Sequence, residues 1–175
     1  LSRAELNKLL QVELNPSGQS APGNPFRAKD KIVCLKNGII PGVAEVDGEF
    51  RPDGDRFIAN GELGEVIESG EKHTIAKFDD RLVKIPRGKG KKEDDDSSDD
   101  EEKSDTGCNF DLGYAISAHK SQGSEFPVVF VALDDYPGAM RVCSREWVYT
   151  AISRAKKVCY LVGQVGVAKA MCNRV

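Results

Sequence analysis

Apolar and polar positions divide the chain into stretches of different period. Residues 1–14, LSRAELNKLLQVEL, place apolar side chains at Leu6, Leu9, Leu10 and Leu14. That i, i+3, i+4, i+8 spacing predicts an amphipathic helix, and Ser2 with Glu5 three residues on resembles a capping box. Residues 15–24, NPSGQSAPGN, form a Pro/Gly/Ser-rich linker. From Phe26 the period shortens to that of strands. Residues 31–35 (KIVCL) read as a strand ended by Lys36-Asn37-Gly38, and residues 63–68, 74–78 and 81–85 alternate between turns at Ser69-Gly70 and Asp79-Asp80. Between them, residues 39–60 are loop-rich, with short strands predicted at 43–46 and 56–58 around Asp47-Gly48. Short antiparallel strands packed this densely predict a small SH3-like barrel or curled sheet.

From Phe110 the pattern changes to α/β. Two apolar runs, 113–116 and 128–133, flank a polar loop of Ser117, His119, Lys120, Ser121, Gln122, Gly123, Ser124 and Glu125. Bounded apolar runs of this length read as buried strands, the first spanning 113–117. Ser144 is a predicted N-cap with Glu146 in the first turn, opening a helix over 145–156. A strand at 157–162 and a short helix at 165–173 follow. Strand, strand, helix, strand and helix joined by tight connections predict a mainly parallel, partial sheet. A loop leaving the carboxyl end of a buried strand is where open α/β sheets place ligands.

Composition changes this picture in one place. The 175 residues carry a net charge of −3, with 39% hydrophobic and 30% charged residues. Residues 91–106 alone hold nine acids against three lysines, a net of −6, which leaves +3 on everything else. The acidic balance therefore does not exclude a polyanionic partner, because local patches decide such contacts. This low-complexity stretch cannot bury enough apolar surface to offset its ordering entropy and is expected to be a disordered insertion. A solvated tether is the plain reading of it. Autoinhibition, by mimicry of nucleic-acid phosphates, is the functional one, and Ser97, Ser98 and Ser104 sit among its acids. Five dispersed cysteines without CxxC spacing fit reduced, intracellular, structural thiols. No run is long and apolar enough for a membrane span. The chain opens on Leu1 without a targeting pattern, and the expectation is a piece cut from something larger.

Chemistry concentrates in two constellations. In the polar loop His119 and Lys120 offer a switchable donor and a fixed cation. Ser117, Ser121 and Ser124 are short hydroxyl donors suited to phosphate oxygens, Gly123 permits close backbone approach, and Glu125 suits a ribose hydroxyl. The set fits a sugar–phosphate ligand better than a metal or an acyl substrate. On composition alone an ordinary solvated turn is the favoured reading. The second constellation is residues 147–156, WVYTAISRAK. There Val148, Ala151, Ile152 and Ala155 form an apolar helical stripe, and Arg154 is placed to stabilise charge in phosphoryl transfer. Its plain alternative is an arginine near a helix C-terminus interacting with the helix dipole. Asp134-Asp135 follows a strand but reads as an ordinary strand end, so no metal site is expected.

Together, AISAHKSQGSEFPVVFVAL and VYTAISRAKK resemble motifs V and VI of superfamily-one DNA helicases, in the RecD-like branch of the UvrD/RecD group. Upstream, Phe26, Asp30 and Lys31 resemble that family's F-x-x-x-D-K strand start, and Asn60, Gly61, Glu62 and Gly64 its N-G-E-x-G turn. The resemblance spans the chain except roughly residues 86–109. It implies a mixed α/β fold: a partial RecA-like 2A motor domain with a small SH3-like 2B barrel inserted. Residues 1–24 would belong to 2A, 25–86 to the barrel, 87–109 to the acidic insertion and 110–175 to 2A with both motifs.

Roles follow from the same resemblance. Arg154 would reach the ATP γ-phosphate across the cleft between two motor domains. Gly123 and Glu125 would lie on the nucleotide side, and Ser117, His119 and Ser124 would face single-stranded DNA. Lys120, Ser121 and Gln122 would couple the two sites, with Tyr149 and Thr150 supporting the Arg154 helix. ATP and Mg²⁺ would be used by the parent protein. No G-x-x-x-x-G-K-[ST] phosphate loop occurs in these residues, so the fragment is not expected to bind or hydrolyse ATP alone. The implied function is that of the C-terminal part of an ATP-dependent helicase moving 5′ to 3′ on single-stranded DNA, with roles in repair or recombination. Its implied partners are the N-terminal motor domain of the same protein and subunits of a helicase–nuclease complex, in the cytoplasm or nucleoid. A non-catalytic interaction module with vestigial motifs is the alternative.

Overall fold

The computed structural model describes residues 2–87, 109–133, 136, 138 and 143–174. The acidic stretch 91–106, most of the expected 87–109 insertion and Asp134-Asp135 lie outside the described residues. Contacts divide the chain into two compact units, residues 1–115 and 116–175. The expected grouping differed: it placed residues 1–24 and everything from 110 onward together.

Among the described residues the first unit contains α1 (Arg3–Leu14) and seven strands: β1 (Lys31–Cys34), β2 (Gly38–Val46), β3 (Glu49–Ile58), β4 (Leu63–Ser69), β5 (His73–Phe78), β6 (Arg81–Pro86) and β7 (Phe110–Leu112). They form one antiparallel sheet in the order β3-β2-β6-β5-β4-β1-β7. Its inward face surrounds a single cluster containing Ile32, Ile40, Ile58, Val66, Phe78 and Val83, with Phe26 and Phe110 packed against it. Asp47 and Gly48 both take positive φ (55° and 80°), which closes the two-residue turn between β2 and β3. That hairpin is longer than the two short strands expected, and its pairing continues past a bulge in which Asp53 and Gly54 of β3 face Gly42 of β2.

The N-G-E-x-G residues are structural in this unit. The Asn60 amide donates to Asn37 Oδ1 at 2.6 Å, and Gly61 takes φ +87°. The Glu62 carboxylate pairs with Arg81. Gly64 lies so close to β5 that a Cβ would meet the Lys77 carbonyl and the Phe78 ring at 2.8 Å.

Helix α1 forms with the predicted capping box complete: Ser2 Oγ accepts from the Glu5 amide, and the Ser2 amide donates to the Glu5 carboxylate. Its buried face overlaps the predicted one only in part, with Leu6 and Leu10 half-buried. Asn7 and Gln11 are buried, while Leu9, Val12 and Leu14 are exposed. The reason is a polar hub on Asp30, whose side chain is fully buried. Asp30 accepts from Gln11 Nε2, from Asn15 Nδ2 at 2.7 Å, from the Arg27 amide at 2.7 Å and from the Tyr114 hydroxyl at 2.8 Å. A buried carboxylate is tolerated only when so satisfied. The linker is pinned by the same means, since Asn24 Nδ2 donates to Thr74 Oγ1 and to the Gly70 carbonyl, each at 3.0 Å.

The run at 113–117 is not a strand. Pairing stops at Leu112, where β7 joins β1 antiparallel. Beyond it, Asn7 replaces a neighbouring strand: its Nδ2 donates to the Ala115 carbonyl at 2.9 Å, and its Oδ1 accepts from the Ala115 amide at 2.8 Å.

The second unit contains β8 (Phe126–Ala132), α2 (Arg145–Ile152), β9 (Ala155–Val162) and α3 (Val165–Cys172). β8 and β9 pair in parallel, with Val128 opposite Val158 and Phe130 opposite Tyr160. Val131 and Leu133 pack with Val148 and Ala151 of α2 and Val167 and Met171 of α3. The opposite face of the pair carries exposed Val128, Phe130, Val158, Tyr160 and Val162, with the Phe130 and Tyr160 rings stacked at 4.9 Å. The fold is therefore mixed α/β, an antiparallel sheet and a small parallel one, as the sequence pattern predicts. No helix among the described residues is long and apolar enough to cross a membrane.

Candidate functional site

The polar loop opens the second unit and is built from short turns. The amides of Lys120 and Ser121 both donate to the Ser117 carbonyl (3.0 and 3.1 Å), Gln122 to His119 (3.3 Å), and Ser124 to Ser121 (3.0 Å). Gly123 takes φ +87°, and nothing lies within 4 Å of where its Cβ would be. Backbone conformation, rather than space, calls for glycine there. The loop leads into the amino end of β8. The expected geometry, a loop leaving the carboxyl end of a parallel strand, is corrected, because residues 113–117 form no strand.

Exposure sorts the loop residues. Ser117, His119, Gln122, Gly123 and Glu125 are exposed, and Lys120 and Ser124 are half-buried. Ser121 is buried and donates its hydroxyl proton to the Ala118 carbonyl at 2.7 Å. That proton holds the turn together, so composition overstated Ser121 as a phosphate donor.

Ser144 caps α2, its Oγ accepting from the Trp147 amide at 3.4 Å and donating to Glu146 at 2.7 Å. This hydrogen bond to Ser144 holds the Glu146 carboxyl below its usual range. Burial pushes the Cys143 thiol upward. α2 ends at Ile152, with Ser153 as C-cap, and β9 starts at Ala155. The predicted helix to 156 is therefore too long, and Arg154 sits in the turn between helix and strand. Of the predicted stripe, Val148 and Ala151 are buried, while Ile152 is 39% exposed.

Arg154 is half-buried and held through each guanidinium nitrogen. Nε donates to the Thr150 carbonyl at 3.1 Å, Nη1 to the Ser124 carbonyl at 3.3 Å and Nη2 to Ser153 Oγ at 3.0 Å. The Ser153 hydroxyl itself donates to the Thr150 carbonyl at 3.0 Å. Tyr149 is exposed, and its carbonyl accepts from the Ser153 amide at 2.9 Å. The Phe126 amide donates to the Arg154 carbonyl at 2.8 Å, and Lys156 Nζ lies 3.0 Å from the Glu125 carboxylate.

Thus Ser124, Glu125 and Phe126 are stitched to Arg154 and Lys156. The structure brings the end of the polar loop against the arginine turn, as their shared strand pair requires. Sequence reasoning missed Ser153, Lys156 and Phe126 as parts of this junction. Ser153 stands in the motif VI-like stretch YTAISRA, whereas Lys156 and Phe126 are brought in by the pairing of Phe126 with Ala155, which a sequence does not display. No cluster of three or more metal-ligating side chains occurs among the described residues.

The junction lies inside a region that matches known proteins. Residues 112–162 match the family described as UvrD-like helicase C-terminal domain. Over 137 residues, 71% of the chain, it is 30% identical to the ATP-dependent RecD2 DNA helicase of Deinococcus radiodurans. The chain belongs to the superfamily-one helicases of the UvrD/RecD group, as part of their C-terminal region. It covers 16% of the RecD2 helicase's length. A 49-residue stretch of this chain is 47% identical to an uncharacterised protein of Methanocaldococcus jannaschii, covering 28% of the chain and 4% of that protein. In fold, this chain is similar to the crystal structure of Pif1 helicase from Bacteroides in complex with ADP-AlF3 and ssDNA. The TM-score is 0.56 at 19% identity, over 97% of this chain and 40% of that one. The polar loop, β8, α2 and Arg154 all fall within the helicase C-terminal domain match.

Proposed function

We propose that this chain supplies the DNA-contacting loop and the nucleotide-sensing arginine of an ATP-dependent helicase that moves on single-stranded DNA, 5′ to 3′. Residues 116–175, with α1, would correspond to the 2A motor region, and the antiparallel sheet to an inserted 2B barrel. The observation that carries the reading is the junction of Ser124 with Arg154, where both helicase-like motifs meet. A protein of this fold has been solved with ADP-AlF3 and ssDNA, and RecD2 is an ATP-dependent DNA helicase.

In this reading exposed Ser117 and His119, with Ser124, face the strand's phosphates, and Glu125 and Gly123 face the nucleotide. Lys120, Ser121 and Gln122 hold the turn between them. Arg154 presents a planar fork, suited to two phosphate oxygens at once. Bound ATP with Mg²⁺ would supply the phosphoryl chemistry. The residues described here fit only one side of it, so the phosphate cradle and metal ligands would come from the other motor domain of the same protein.

The DNA half of the reading is tested by single-strand binding. In the full-length protein, His119→Ala combined with Ser117→Ala should weaken oligonucleotide affinity by roughly tenfold, on the scale of one or two lost polar contacts. Nucleotide affinity should stay unchanged. Unaltered oligonucleotide affinity would remove the loop from the DNA path and favour a non-catalytic module.

A further inference from the structure

Arg154 is held by more than the helix that precedes it. Its Nη2 donates to Ser153 Oγ at 3.0 Å, and that hydroxyl spends its own proton on the Thr150 carbonyl at 3.0 Å. The hydroxyl is thereby fixed as an acceptor toward the arginine. Nε shares the same Thr150 carbonyl at 3.1 Å. With Nη1 on the Ser124 carbonyl at 3.3 Å, the guanidinium plane is set by three acceptors spread around it. Two come from its own turn and one from the loop. An exposed arginine otherwise samples many rotamers, and restricting them costs side-chain entropy. A group that must meet a developing charge works best when that cost is met before the reaction.

We infer that Ser153 is a positioning residue, whose hydroxyl orients the Arg154 guanidinium between the Ser124 carbonyl and a phosphate on its open side. This inference rests on the proposed role of Arg154 at the nucleotide and adds the means by which the arginine is aimed. Ser153 itself touches no reacting atom. Loss of its hydroxyl leaves Arg154 charged and present but free to rotate about its last bonds. The consequence falls on the step in which charge develops rather than on nucleotide affinity.

The test is steady-state ATP turnover of the full-length protein with saturating single-stranded DNA, for Ser153→Ala, Ser153→Thr and Arg154→Ala. Ser153→Ala should lower kcat on the order of tenfold, the equivalent of one hydrogen bond to a charged group, with KM for ATP within about twofold. Ser153→Thr keeps the hydroxyl and should restore turnover. Turnover near wild type in Ser153→Ala, with Arg154→Ala inactive, overturns the positioning role and leaves the role of Arg154 standing. Turnover near wild type in Arg154→Ala overturns that role, and this one with it. A fall in kcat for Ser153→Ala that Ser153→Thr does not restore, accompanied by a lowered melting temperature, assigns Ser153 a structural role and also overturns the inference.

Discussion

At the residue scale the chain's most demanding position is Asp30. A fully buried carboxylate is among the costliest groups in a protein interior, and here it is offset by donors from α1, the following loop and Tyr114. Burial, then the hydrogen bond to Asp30, push the Tyr114 hydroxyl up to about 12 from its usual 10.0. The folded state therefore keeps this proton where the unfolded chain releases it. The contribution of Tyr114 is complete below pH 10 and is lost as pH rises toward about 12. Denaturant midpoints of wild type and Tyr114→Phe should accordingly differ most below pH 10 and converge above it. A gap that stays constant through that window would detach Tyr114 from the hub. Asp30 was legible in the sequence only as part of a family-like strand start. Its burial was not, because a lone acid before an apolar strand looks like a surface residue until its donors from distant segments are seen.

Among the elements, most were legible and their partners less so. The local signals worked: a capping box for α1, Asp-Gly and Asp-Asp turns for the hairpins, and a serine cap for α2. Two failures share one cause. Of the predicted α1 stripe only Leu6 and Leu10 are half-buried while Leu9 and Leu14 are exposed, and the run after Leu112 makes no strand, because Asn7, Gln11 and Asn15 make hydrogen bonds that hydrophobic periodicity does not register. Gly113 shows how tight the resulting packing is. Its amide donates to the Lys31 carbonyl at 2.7 Å, and a Cβ there would sit 2.8 Å from the Ile32 carbonyl carbon. Backbone cannot yield as a flexible side chain does. Gly113→Ala should therefore cost about 1–3 kcal/mol, the usual range for overpacking, read as a lowered urea midpoint. An unchanged midpoint would mean that β1 and the Gly113 segment are not in this contact.

For the molecule as a whole, a parallel pair with one face exposed among the described residues is unusual, since parallel sheets are normally covered on both faces. Phe130 and Tyr160 stack on that face at 4.9 Å. The candidate site was legible as two motifs, and the strand pairing supplied what the motifs could not, namely which ends touch. Arg154 meets Ser124, and Lys156 meets Glu125. Arg154 as the group that senses nucleotide is the role on which the proposed function depends. The most direct measurement is DNA-stimulated ATP turnover of the full-length protein carrying Arg154→Ala, with single-strand affinity measured on the same preparation. Turnover should fall by roughly a thousandfold, the lower end for an arginine serving phosphoryl transfer, with single-strand affinity largely retained. ATP turnover near that of the wild type would contradict it.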